Sequence, residues 1–319
     1  MQTGYRLPGR RLHAISDHRA RSRRDLRHKI ALVGPLAKTP PLFPPGDFRA
    51  PIPGPNGGDH QVPETEWRKL RADELRDRAK QDAIVILPVA SLEQHGPHLP
   101  VEVDSMLGET IAARTAAKIA ARGQAVVVLP VLWTGLSEHH MSFGGTITLD
   151  NSTFAAVIEG VVRSVLRHGF TKIVLLNAHG GNENALRSIV DDLTPKLGVP
   201  IVQFTYWYAA AVPIAKILEQ QGGLTHACEA ETSMMMAARP ELVAEDRIPL
   251  AKSNETGDVP SGVYRWRSLG SRTASGALGH PEAATAEKGE RLFDAISTAV
   301  ADKLCDKDLW DLPWNSENL

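Results

Sequence analysis

The chain has 319 residues, 42% of them hydrophobic and 23% charged, with a formal net charge of -1 at pH 7. That length accommodates one large α/β domain or two small ones with a sizeable core. A near-neutral charge excludes a global attraction to nucleic acid or an anionic membrane. The two cysteines, Cys228 and Cys305, are too few for a disulfide framework.

Residues 1–62 stand apart in composition. The first thirty carry nine Lys and Arg against two Asp, and residues 34–57 hold eight of the 22 prolines. Such a segment buries too little apolar surface to offset its ordering entropy, so a disordered or loosely attached arm is expected. Three readings of it stand side by side: a basic tail touching an anionic partner, an Arg-rich targeting peptide, or an extension with no part in the chemistry. It lacks the apolar core of a secretory signal, and no stretch approaches the ~20 apolar residues of a membrane span. A cytoplasmic protein with reduced thiols, no membrane partner and no nucleic-acid partner is therefore expected.

The folded domain is expected over residues 63–319. It opens with a polar helix over 64–80, followed by the continuous apolar run AIVILPV at 83–89, the mark of a buried strand. A helix is expected over 105–121, with Leu107, Ile111 and Ile119 on one face, then a second buried strand over 125–132. Over 152–168, Phe154, Val157, Ile158, Val161, Val162 and Val165 recur at helical spacing, and Gly169 ends the helix. A strand at 172–177, a helix at 182–194 and a strand at 200–206 follow. Further helices are expected near 208–219, 227–238 and 281–304. This alternation predicts an α/β fold, a mostly parallel central sheet covered by helices on both faces in three α/β/α layers.

In such sheets, chemistry collects beyond the carboxyl ends of the strands. After the first strand come Glu93 and His95, two residues apart and so on one side of an extended segment, then Asp104 at the start of the next helix. After the third strand comes N-A-H-G-G-N, with His179 followed by Gly180 and Gly181, where backbone can approach closely. Later lies H-A-C-E-A-E-T-S, with His226, Glu229 and Glu231. Imidazoles and carboxylates of this kind suit Zn²⁺, Mn²⁺ or Fe²⁺. Five protein ligands with a shared carboxylate fit two divalent ions ~3.5–4 Å apart.

The segments ILPVASLEQHGPHLPVEVD (86–104), LPVLWTGLSEHHMSFGGTITLD (129–150), IVLLNAHGGNENAL (173–186) and HACEAETSMMMAARPELV (226–243) resemble the creatininase (creatinine amidohydrolase) family in order and spacing. The similarity spans about residues 64–304. It implies a dinuclear divalent-metal hydrolase, often acting on amide C–N bonds of a small-molecule substrate, and a homo-oligomer, often a hexamer. By motif position Glu93, His95, Asp104 and His179 match family metal ligands, with Asp104 the bridging carboxylate.

Creatininase proper has a ligating glutamate where this chain has Gly181. Glu231 is taken as the fifth ligand in its place, with Glu229 as rival. Glu229 and His226 are the candidates for passing a proton to the leaving nitrogen. His139, Trp207 and the backbone of Gly180 and Gly181 are assigned to the substrate pocket. His98 is read as an outer or loop residue, Met234 to Met236 as helix core, and Cys228 as packing.

The local departures argue against creatinine itself and toward a formamide, a small or cyclic amide, a cyclic keto-sugar or lactone, or a peptide end. A non-catalytic metal-binding protein and nucleic-acid binding through the basic arm are the readings of other classes.

Overall fold

The computed structural model describes residues 63–253 and 260–312. The expected arm at 1–62 lies outside the described residues. The ordered elements are α1 (Ala72–Lys80), β1 (Ile84–Val89), α2 (Val103–Ala121), β2 (Val126–Val128), α3 (Asn151–Arg167), β3 (Lys172–Asn177), α4 (Glu183–Leu197), β4 (Ile201–Thr205), α5 (Tyr206–Ala209), α6 (Ala211–Ile217), α7 (Glu229–Ala238) and α8 (Ala286–Leu304). Among the described residues, no helix is long and apolar enough to cross a membrane.

The four strands form one parallel sheet in the order β2-β1-β3-β4. Strand side chains alternate between faces, and the core divides accordingly. Ile84, Ile86, Val174 and Leu176 face a cluster built with α2, α7 and α8. Val85, Leu87, Val89, Ile173 and Leu175 face Phe154, Ile158 and Val162 of α3 and Leu186, Ile189 and Leu193 of α4. Burial on both faces explains why these strands read as unbroken apolar runs.

From β1 the chain steps outward through α2 to β2; from β3 it steps the opposite way through α4 to β4. The order therefore reverses between β1 and β3. Loops leaving two such neighbouring strands diverge to opposite sides of the sheet and leave a crevice between them, where ligands of open α/β sheets bind.

The helix expected near 208–219 is split into α5 and α6, and three further boundaries differ from the sequence expectation for identifiable reasons. The strand expected over 125–132 stops at Val128. Pro130 has no N–H, and pairing resumes only where Leu132 N donates to Pro88 O. The helix expected over 64–80 begins at Ala72, because Thr65 O accepts from Val128 N and the preceding segment lies against β2. The helix expected at 281–304 starts at Ala286, where the Thr285 hydroxyl accepts from Lys288 N.

Candidate metal centre

Three loops meet over the crevice. The β1 exit is folded back on itself, with Glu93 N donating to Val101 O, so that Glu93, His95 and Asp104 share one region. Asp104 occupies the first turn of α2, where the helix dipole favours a carboxylate. The β3 exit carries His179, whose N–H donates to Asn177 Oδ1. Asn182 stitches the loops together: its Nδ2 donates to Ala90 O and its Oδ1 accepts from Leu136 N. The third loop, 134–148, brings Ser137, His139 and His140.

The charged atoms converge closely. His179 Nδ1 lies 3.1 Å from both Glu93 Oε2 and Asp104 Oδ2. His95 Nε2 lies 3.2 Å from Asp104 Oδ1 and 4.0 Å from Glu231 Oε2. Glu93 Oε1 is 3.3 Å from His140 Nε2 and 3.5 Å from His226 Nδ1. Glu93, His95, Asp104, His179, His140 and Glu231 are all buried.

The hydrogen bonds around the imidazoles identify which nitrogen each presents. His95 Nδ1 is turned to the Glu93 carbonyl at 3.1 Å, and His179 Nε2 to the Leu136 carbonyl at 3.1 Å. A carbonyl can only accept, so these nitrogens carry the N–H. The opposite nitrogens, His95 Nε2 and His179 Nδ1, face carboxylate oxygens. This is the tautomer that a metal-ligating histidine takes, held by an outer acceptor. His95 Nε2 and Asp104 Oδ2 are buried without a well-aligned hydrogen bond although each has an oppositely charged group within 3.2 Å, so attraction gathers these groups without the directed bonds that would satisfy them. Glu93, His95 and Asp104 form one group of side chains able to hold a metal ion, and His95, His226 and Glu231 another. Donors and orphaned atoms together fit divalent cations.

His140 is different. Its Nδ1 accepts from Gln94 Nε2 at 3.0 Å, which leaves the Nε2 proton to face Glu93. It is thus a donor to a ligand. Ser137 also donates to Glu93 Oε2, at 2.7 Å. His226 Nε2 lies 2.9 Å from the Gln94 backbone carbonyl and 3.0 Å from the Gln94 side-chain Nε2, and its Nδ1 lies toward Glu93.

Electrostatics separate the histidines into two sets. Burial disfavours the His95 imidazolium, but Asp104, Glu231 and Glu93 outweigh it and lift its pKa to about 9. His179 is raised in the same way, with Glu93 and Asp104 overcoming burial. Burial pushes His139 down to about 4, His140 to about 3 and His226 well below its usual range. Burial also raises Glu231, to about 8. Glu93 is held low by His179 and His140 in spite of its burial. The carboxylates thus draw positive charge to the two nitrogens nearest them, the charge that cations would supply.

Of the residues singled out from the sequence, Glu93, His95, Asp104, His179, Glu231 and His226 come together. His139, Gly180, Gly181 and Trp207 line the cavity that opens from the cluster. Glu229 requires correction. It lies two residues from Glu231 on a helix, where side chains point about 200° apart, so only one of the two can face the cluster. Glu229 turns away and is fully buried, with its Oε1 accepting from Lys288 Nζ at 2.8 Å and from Glu219 N at 3.0 Å. This disposes of both its rival claim as a ligand and its role as proton donor.

Lys288→Ala leaves that carboxylate buried without its cation. The expected cost is about 3–5 kcal/mol of stability. Denaturant unfolding of the variant checks this; an unchanged midpoint contradicts it.

His98 is buried outside the cluster, its Nε2 2.9 Å from Thr232 Oγ1, and Met234, Met235 and Cys228 are core. His140, Gln94, Ser137 and Asn182 were not singled out. A histidine directly after His139 was the available signal for His140, while Gln94 sits between two ligands in the same motif.

The profile of the family described as creatininase, creatinine amidohydrolase, matches residues 68–304. The creatinine amidohydrolase of Pseudomonas putida is 29% identical over 262 residues, covering 76% of this chain and 95% of the relative. A mycofactocin precursor peptide peptidase of Mycolicibacterium smegmatis is 31% identical over 225 residues, 69% of this chain and 84% of the relative. The structure of a mutant creatininase of Zn-Zn type superposes with a TM-score of 0.66 at 26% identity, covering 76% of this chain and 98% of that one.

Proposed function

Because this chain belongs to the creatininase family, a family of metal-dependent amidohydrolases, we propose that it hydrolyses a C–N bond of a small amide, formamide or cyclic amide above the carboxyl ends of β1 and β3. The observation that carries this reading is the pair of imidazoles with backbone-fixed tautomers, aimed at carboxylates around orphaned polar atoms.

Glu93, Asp104 and His179 would hold one divalent ion, and His95, Asp104 and Glu231 a second. Asp104 is suited to both because its two oxygens face different imidazoles. Bound divalent metal supplies a water acidified toward neutrality and polarises a carbonyl.

The protein's own groups do the rest. Glu93 is fixed by Ser137 and His140, and Glu231 is fixed by the N–H of Ala227. His226, held in place by the backbone and side chain of Gln94, would take up a proton and return it to the leaving nitrogen. Gly180 and Gly181 line the same cavity, and their N–H groups are the candidates for steadying a developing oxyanion.

Chelation of the purified protein is expected to abolish hydrolysis in an amide and formamide screen, with return on adding Zn²⁺ or Mn²⁺. Hydrolysis undiminished after complete metal removal overturns the reading. A metal-loaded protein that cleaves nothing in the screen leaves the non-catalytic metal-binding alternative. A peptide end is the second substrate reading, favoured by likeness to the peptidase. The catalytic unit is taken as residues 63–319, in a cytoplasmic homo-oligomer such as a hexamer.

A further inference from the structure

The cavity over the cluster has a volume of about 1160 Å³, above the ~300–1000 Å³ of ordinary small-molecule pockets. Its far wall comes from the segment 264–272, which contributes Tyr264, Arg265, Trp266, Arg267 and Arg272 to the lining. From residue 260 to residue 281 the chain has three arginines and no acid.

This wall is tied to the site. The turn at Leu269–Ser271 lies against the turn at Glu138–Phe143, close enough that a side chain at Gly270 would meet Ser142 Oγ at 2.9 Å. Arg272 is near enough for its charge to act on His139, whose ring stacks on His179 at 5.7 Å. Arg265 is exposed and has no ion-pair partner among the described residues. Away from the metal cluster, the acids that line the cavity among the described residues are Glu138 and Asp150, and Asp150 is engaged at the start of α3, accepting from Thr153 N at 2.8 Å.

A site built only to cleave a neutral amide has no use for cationic side chains this near. Planar guanidinium groups bind phosphate or carboxylate in a bidentate fashion and stack on flat rings. We propose that the substrate bears an anionic group, a phosphate or a carboxylate, on a body large enough to span the cavity. The arginines at 265, 267 and 272 receive that group while the C–N bond lies over the cluster. This rests on the hydrolase reading and names its substrate class.

The test reads binding without turnover. Trp207 and Trp266 both line the cavity, so the fluorescence of the metal-loaded protein is followed while phenyl phosphate, benzoate or benzamide is added. One of the two anions is expected to bind at least about tenfold more tightly than benzamide. Which anion does so distinguishes phosphate from carboxylate. Arg272→Gln, and separately the double variant Arg265→Gln with Arg267→Gln, should each weaken the anion at least tenfold and leave benzamide unchanged.

Equal binding of all three probes overturns the proposal. So does anion binding that persists in both variants, which would place the anion on the metals. The double variant alters the outer wall alone, so the proposal stays falsifiable even if Arg272→Gln fails to fold. Failure of the amide screen with intact anion binding counts against the hydrolase reading alone; the reverse result counts against the anion alone.

Discussion

Asp104→Ala is expected to strip the chain of most of its metal and to lower hydrolysis by well over 100-fold. Loss of a partner one layer out from a metal already costs about 10–100-fold. Asp104 lies closer in, with Oδ1 3.2 Å from His95 and Oδ2 3.1 Å from His179. Its removal therefore takes a carboxylate from both halves of the proposed site. The fold is expected to survive, because His95 and His179, which this carboxylate helps to hold in the charged form, can each shed a proton and stay buried as neutral rings once it is gone. Metal content, turnover and circular dichroism together check the prediction. A variant that is folded, fully loaded and active contradicts it; a variant that is simply unfolded shows that Asp104 has a structural role beyond ligation.

Gly181→Ala is expected to be nearly as damaging, for a steric reason. A Cβ there would sit 2.2 Å from Leu136 O, 2.4 Å from His179 Nε2 and 2.9 Å from His139 Cε1. The first is backbone and cannot swing aside. The second is the nitrogen whose bond to that same carbonyl fixes the ligating tautomer of His179. Relief of the clash must move either the loop or the ring. Overpacking of this kind costs about 1–3 kcal/mol of stability, and a displaced His179 should lower metal affinity by at least the about 10–100-fold of a lost outer partner. Gly180→Ala is the control, since a Cβ at Gly180 meets nothing. Metal affinity measured for both variants separates the outcomes: equal affinities would show that the loop gives way and that the close approach at Gly181 is unimportant.

The same glycine shows what the sequence made legible. Where the resemblance to creatininase implies a ligating glutamate, this chain leaves no room for any side chain, so a fifth ligand of the proposed site has to come from another element. Glu231 supplies a carboxylate from the first turn of α7, 4.0 Å from His95. The choice between it and Glu229 turns on the rotation of one helix about its axis. The segment 227–238 gives little help, because α7 is buried all around its first turn and has no polar face to orient it. Ala227, at a φ of +50°, adds an unusual turn just before the helix that residue type does not announce.

Glu93, His95, Asp104 and His179 were readable because the sheet order is implicit in the alternation of apolar runs and helices, and ligands of such a sheet lie at its strand ends. The supporting residues were less so. His140 and Gln94 meet across 46 positions of sequence, a contact set by how two loops pack. Pro130, visible in the sequence, was enough to shorten β2, but the apolar residues on both sides of it masked the break.

Elemental analysis of the purified protein, with chelated protein reloaded in turn with Zn²⁺, Mn²⁺ and Fe²⁺, tests the central claim most directly. About two equivalents of divalent metal per chain are expected, the number that a shared carboxylate between two donor sets implies. No tightly bound metal after every reloading would contradict the claim, and the cluster of Glu93, His95, Asp104, His179 and Glu231 would then need another explanation.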